Sequence, residues 1–274
     1  RPYLEDLRSA YKTNSVSLEY EEALCYAYLL GYVPVYLHQS KFLFEKCFES
    51  RVLPDSVTVA FLACGPGTEA VAFTDYLLRE SPETKAELNF FDLQESHWSE
   101  VREGMVRIGC EERSPNISCK SYSLDLIEDG AFSRDEEIFT KADLVVMQNC
   151  VNEIIDEREI AKENFKQLFQ MLKQEAIFCS SDLKGYKPVR DFLSELRDCF
   201  EEFGEVEGPF DENYRNLGPP KDSLLREHFY RGVLGVGLTP KSRVKAQENI
   251  FVRKYDKPIS EKTSESPRTG PSLG

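Results

Sequence analysis

Histidine is scarce in this chain: His38, His97 and His228 are the only three in 274 residues. Their scatter gives no zinc-ligand spacing, so no metal site is expected. No C-x-x-C pair occurs among the eight cysteines, Cys25, Cys47, Cys64, Cys110, Cys119, Cys150, Cys179 and Cys199. Each sits among apolar or strand-like residues, which reads as buried free thiols in a reducing compartment rather than a disulfide framework. No apolar run reaches the length of a membrane span, and no internal repeat is present. No signal peptide is visible, so the expectation is a soluble cytoplasmic protein with no membrane partner; the chain opens on Arg1, which leaves a preceding targeting segment open. Positive charge is also short, with 34 Lys and Arg against 48 Asp and Glu and a net charge of −14. Phosphates are repelled by most of such a surface, which argues against a general nucleic-acid binder acting without a partner. Arg243, Lys245, Arg253 and Lys254 form one local basic cluster, read as a solvated strand face or a dock for an anionic partner.

With 41% hydrophobic residues, the length suits one globular domain with an elaboration. Tyr20, Leu24, Ala27, Tyr28 and Gly31 follow helical spacing. Pro34 breaks or kinks that helix, and a second one carries Tyr36, Leu37, Ser40, Leu43, Phe44 and Cys47 on one face. These helices make residues 1–52 an N-terminal cap or lid. Strands and helices then alternate. Strands are expected at 57–62, 87–92, 117–123, 142–147 and 176–179, and helices at 68–80, 96–109, around 165–172 and around 189–200. Alternation of this kind means a parallel sheet covered on both faces. Residues 233–238 and 249–255 read as two further strands with no helix between them, hence antiparallel. The fold class is therefore α/β, a three-layer Rossmann-like sandwich over 53–256 with an antiparallel C-terminal strand. Residues 257–274, rich in Ser, Pro, Gly, Glu and Lys, read as a disordered tail.

Ligands of an open parallel sheet bind beyond the carboxyl ends of the strands. Five of those ends carry polar or acidic groups: Gly65-Pro66-Gly67-Thr68-Glu69, Asp92, Asp125, Gln148-Asn149 and Asp182. Gly65-x-Gly67-x-x-Ala70 fits the dinucleotide fingerprint G-x-G-x-x-G/A. It fits a second ligand class equally. Residues 59–69, VAFLACGPGTE, resemble motif I of class I S-adenosylmethionine (SAM)-dependent methyltransferases. Ser123-Leu124-Asp125 resembles that family's adenine-binding segment, and residues 142–149 resemble its motif IV, whose end faces the methyl group. The closing pair of strands resembles the family's antiparallel sixth and seventh strands.

The resemblance implies a SAM-binding set of Ala63, Cys64, Gly65, Gly67 and Glu69 after strand one. Asp92 would take the ribose, with Leu93 beside it and Trp98, the single tryptophan, either stacking on adenine or packing its helix on the sheet. Leu124 and Asp125 would meet the adenine, and Gln148 and Asn149 the methyl end. On the acceptor side, Asn149 is a candidate to orient the acceptor and Glu153 to take its proton; Asn152 and Glu153 also suit a helix start. Electrostatics separates the two ligands: Glu69 in the first helical turn opposes a doubly negative pyrophosphate, whereas the SAM sulfonium and ammonium suit Glu69, Asp92 and Asp125. Phe61 stands where the family usually has an acid, and Ala63 where it usually has glycine. Gln148-Asn149-Cys150-Val151 replaces the Asn-Pro-Pro-Tyr type of motif IV found in enzymes that methylate amide or exocyclic nitrogens. The expected function is SAM-dependent methyl transfer to an unidentified acceptor, a small molecule or protein by preference. The rivals are a catalytically silent binding module on the same fold and an NAD-dependent oxidoreductase.

Overall fold

A computed structural model describes residues 22–215, 241 and 243–254. Helix α1 spans Glu22–Gly31 and α2 Val33–Phe48, with Pro34 in the first turn of α2, where its missing N–H costs nothing. Then β1 (Ser56–Leu62), α3 (Thr68–Glu80), β2 (Lys85–Asp92) and α4 (Glu95–Val106) alternate, α4 running into a short π-helical turn at Arg107–Glu111. They are followed by β3 (Ile117–Ser123), α5 (Glu136–Lys141), β4 (Leu144–Gln148), α6 (Val151–Ile154), α7 (Arg158–Met171), β5 (Ile177–Leu183) and α8 (Lys187–Glu201). The chain closes on β6 (Gly204–Arg215) and β7 (Arg243–Arg253).

The seven strands form one sheet in the order β3-β2-β1-β4-β5-β7-β6. The first five are parallel, and β7 runs antiparallel to both β5 and β6. This is the three-layer Rossmann-like sandwich that the alternation predicts. Each inner strand divides its side chains by the period of two. In β1, Val57, Val59 and Phe61 face Phe44 and Cys47 of α2 and Phe73 and Leu77 of α3. Ala60 and Leu62 face the opposite layer, with Phe165 and Phe169 of α7 and Phe192 and Leu196 of α8. Half of α2 is therefore a layer of the sheet domain. Its other half, with α1, closes over the strand ends through Leu24, Tyr32, Val35 and Tyr36.

The last part of the sheet differs from the sequence reading. The partner of β7 is Gly204–Arg215, whereas residues 233–238, like the tail at 257–274, lie outside the described residues. Sequence periodicity misses β6 because it is an edge strand carrying Glu205, Glu207, Asp211 and Glu212, with a register shift between Glu207 and Phe210. Its pairing is fixed by the main chain of β7, not by an apolar face. The basic cluster also divides, between the two ends of β7. Arg243 and Lys245 are exposed, while Arg253 is buried, donating to the Phe169 carbonyl with its guanidinium over the Phe203 ring. Lys254 pairs with Glu175 at 2.6 Å. These four residues do not make one docking surface. None of the eight cysteines forms a disulfide, and six of them are buried. No helix among the described residues is long and apolar enough to cross a membrane.

Candidate active site

One cavity lies beyond the carboxyl ends of β1 to β4, under the cap. Ala63, Cys64, Gly65 and Glu69 line it from the β1–α3 turn, Asp92, Leu93 and Trp98 from the β2 side, and Leu124 and Asp125 from the end of β3. Gln148, Asn149 and Glu153 complete it from β4 and α6, and Tyr28 and Tyr36 come down from the cap. Gly67 is the one member of the expected cofactor set that stands behind the wall. Its φ of +81° precedes α3, and a Cβ there would meet the Phe90 ring at 3.1 Å, so it serves the close packing of α3 on the sheet. Ala63 holds φ +47°, a left-handed conformation that costs a side-chain-bearing residue about 1–2 kcal/mol. A glycine at that place would adopt it freely.

The glycine turn is held from two sides. Asp92 accepts the Gly65 N–H at 2.7 Å through Oδ2 and the Gln94 N–H at 2.9 Å through Oδ1. Arg102, on α4, donates from Nε to the Gly65 carbonyl at 2.7 Å and pairs its Nη1 with Glu95. The guanidinium is buried and sits over the Phe90 ring. Arg102 escapes a reading by motif, since no family motif contains it. The signal for it is its position on the buried stripe Trp98, Val101, Arg102, Val106, where an arginine needs partners.

Glu69 is 7% exposed, and its Oε2 has no hydrogen-bond partner. Burial pushes its pKa up to about 8, opposed by a backbone hydrogen bond and the Arg102 charge, with Asp92 adding to the rise. The Glu153 N–H donates to the Cys150 carbonyl at 2.9 Å, while its carboxyl group makes no hydrogen bond or ion pair to a described residue; burial pushes it up to about 8 as well, assisted by the charges of Asp92 and Asp182. Cys64 is buried at the turn, its Sγ 3.5 Å from the Phe91 carbonyl. Burial raises its thiol pKa far above the ordinary range, which suits packing and not nucleophilic or redox work.

Asp182, at the end of β5, does not line the cavity. It accepts the Val151 N–H at 2.9 Å and the Leu183 N–H at 2.6 Å, so it anchors the start of α6. Trp98 is buried against both parts of the protein: its ring edge meets Tyr28 of the cap at 5.5 Å, and its indole lies 3.6 Å from where a Gly65 Cβ would stand. The four cap tyrosines among the described residues also divide. Tyr28 and Tyr36 line the cavity, Tyr32 packs between them, and Tyr26 is largely exposed.

Asn149, held at φ +56°, turns its carboxamide to the cap. Its Nδ2 donates to Gln39 Oε1 at 3.2 Å, and Gln39 Nε2 donates to Ser181 Oγ at 2.7 Å. Next to it, Ser40 Oγ donates to Gln148 Oε1 at 2.6 Å, and Gln148 Nε2 donates to the Tyr36 carbonyl at 3.3 Å. The two amides at the end of β4 thus clamp α2 onto the sheet. Gln39 and Ser40 are both fully buried. Gln39→Leu leaves Asn149 and Ser181 short of partners and is expected to cost about 1–3 kcal/mol, read by chemical denaturation; an unchanged midpoint would mean that water replaces the amide.

No protein-family model and no curated protein matches the chain. Solved structures that it resembles include the C-methyltransferase (CMeT) domain of the citrinin polyketide synthase, at 11% identity and TM-score 0.46, over 80% of this chain and 52% of that one. The chain thus spans about half the length of that protein. A SAM-dependent methyltransferase of Methanosarcina mazei is 11% identical with TM-score 0.44, over 74% of this chain and 95% of that one. A methyltransferase of Methanococcus maripaludis, described as putative in its naming, is 14% identical with TM-score 0.45, over 89% of this chain and 97% of that one. The fold assignment rests on the strand order and register given above.

Proposed function

We propose that this chain is a SAM-dependent methyltransferase. The observation that carries the reading is Glu69, a buried carboxyl with an unpartnered oxygen in the wall of the strand-end cavity. Without a counter-ion such an acid rests neutral, and a cation beside it restores its charge. SAM supplies a methyl group on a sulfonium, together with an ammonium. The chain's own residues divide the remaining work. The Gly65 turn, fixed by Asp92 and Arg102, lets the backbone approach the cofactor closely. Asp92 retains lone pairs for ribose hydroxyls, Asp125 and Leu124 stand where adenine would lie, and Glu69 faces the methionine end. Phe61 stands in place of the acid usual in β1, and Glu69, eight residues on in the first turn of α3, takes over its electrostatic role. A dinucleotide would instead bring its pyrophosphate against Glu69, with no Lys, Arg or His in the described lining to offset it.

Parallel calorimetric titrations with SAM, S-adenosylhomocysteine and NAD test this. Binding of the two sulfur compounds at roughly micromolar Kd, with none of NAD, is the expected result. Binding of NAD alone would sink the proposal. The same titrations carry a pH signature. Free Glu69, held up to about 8, is mostly protonated at pH 7, and a bound cation favours its ionised form. SAM binding at pH 7 is therefore expected to release protons and to tighten as pH rises toward 9, by at most ~10-fold per pH unit. Buffers of different ionisation heat read the release, and Glu69→Gln should cut it. A heat independent of buffer would show that Glu69 stays protonated against the ligand.

A further inference from the structure

The cavity's charge has a direction that the methyl-transfer reading does not use. Glu69, Asp92, Asp125 and Glu153 line it, and no cationic side chain of the described residues does. Its cap side is aromatic, where Tyr28 meets both Tyr36 and Trp98. The same cluster already holds one alkylammonium, because Lys241 Nζ lies 5.2 Å and 5.4 Å from the centres of the Tyr32 and Tyr36 rings and 3.3 Å from the Tyr36 hydroxyl. Such rings attract cations through their faces. The amides of Gln148 and Asn149 are engaged with α2, which removes the groups that would otherwise orient a neutral hydroxyl or amide acceptor. Glu153 is the carboxyl group beside them, from α6.

The geometry points to an aliphatic amine as the methyl acceptor, held as a cation against Tyr28, Tyr36 and Trp98 and deprotonated by Glu153. This inference rests on the methyltransferase reading of the cavity. The entering ammonium favours ionised Glu153, whose own proton leaves to solvent, and the ammonium then gives one proton to that carboxylate. The freed nitrogen lone pair forms the N–C bond to the methyl carbon as the C–S bond breaks and its electron pair stays on sulfur. The product leaves as a methylated ammonium and a neutral thioether. A carboxylated or phosphorylated acceptor would instead keep Glu69 and Glu153 protonated and meet Asp92 and Asp125 with no cationic side chain in the described lining.

The test uses the whole chain saturated with S-adenosylhomocysteine, whose own binding is measured first. Phenethylamine, 3-phenylpropionate and phenyl phosphate are then titrated at low and high salt. The amine is expected to bind at least ~10-fold more tightly than either anion, to weaken with salt, and to lose ~10-fold in Kd with Glu153→Gln. Equal or tighter binding of an anion, no binding of the amine, or an amine affinity unmoved by Glu153→Gln would overturn the inference. The first of these needs no variant, so a folding defect in Glu153→Gln cannot mask it. Failure of S-adenosylhomocysteine itself to bind would overturn the methyltransferase reading, a result distinct from anion preference in the loaded protein.

Discussion

Asp92→Ala is expected to weaken S-adenosylhomocysteine binding by about 100-fold or more, ~2.7 kcal/mol, as measured by calorimetry. Two losses combine. The first is the proposed contact to the ribose hydroxyls. The second is structural, since the same carboxylate fixes the Gly65 N–H at 2.7 Å and the Gln94 N–H at 2.9 Å. Hydrogen bonds to a charged acceptor are each worth about 1.5–3 kcal/mol, and here they hold the turn in the shape that the cofactor needs. Asp92→Asn keeps the size and one acceptor oxygen but sets an amide N–H against a backbone N–H, so it should fall between wild type and alanine. A Kd for Asp92→Ala close to that of wild type would remove Asp92 from the ribose site and weigh against the whole assignment of the cavity.

Arg102→Met should produce the largest loss of stability, about 3–5 kcal/mol in denaturant unfolding. The guanidinium is 2% exposed and bridges the Gly65 carbonyl to Glu95. Methionine fills the space beside Phe90 but leaves the Gly65 carbonyl unpaired and Glu95 without its partner. Arg102→Lys should not rescue, because one ammonium cannot reproduce the planar fork that reaches both groups. The variant also removes the positive charge that holds the Glu69 pKa down, so SAM binding in Arg102→Met should need a higher pH than in wild type. A loss below about 1 kcal/mol would show that the bridge is replaceable by water.

The sequence by itself determined the parallel core of this protein. The apolar run at 57–62 and the periodic helix that follows it are local signals, and β1 and α3 stand where they indicate, as β3 does at 117–123. It also determined which residues meet. Glu69, Asp92, Asp125, Asn149 and Glu153 share one cavity because strand ends in a parallel sheet must lie on the same edge. Only the tertiary structure decided what those residues do to one another. Asn149 stands as a possible acceptor contact in a linear reading; Gln39, 110 positions earlier, claims its carboxamide. Asp182 matches the other strand-end acids in sequence, yet its carboxylate is used by the backbone of α6. The edge strand β6 and the buried Arg102 were illegible for a related reason. Their places are set by partners distant in the chain, through main-chain pairing in one case and desolvation with compensating hydrogen bonds in the other. Local pattern records burial and period. The assignment of a polar group to a ligand or to the fold depends on which distant group reaches it first.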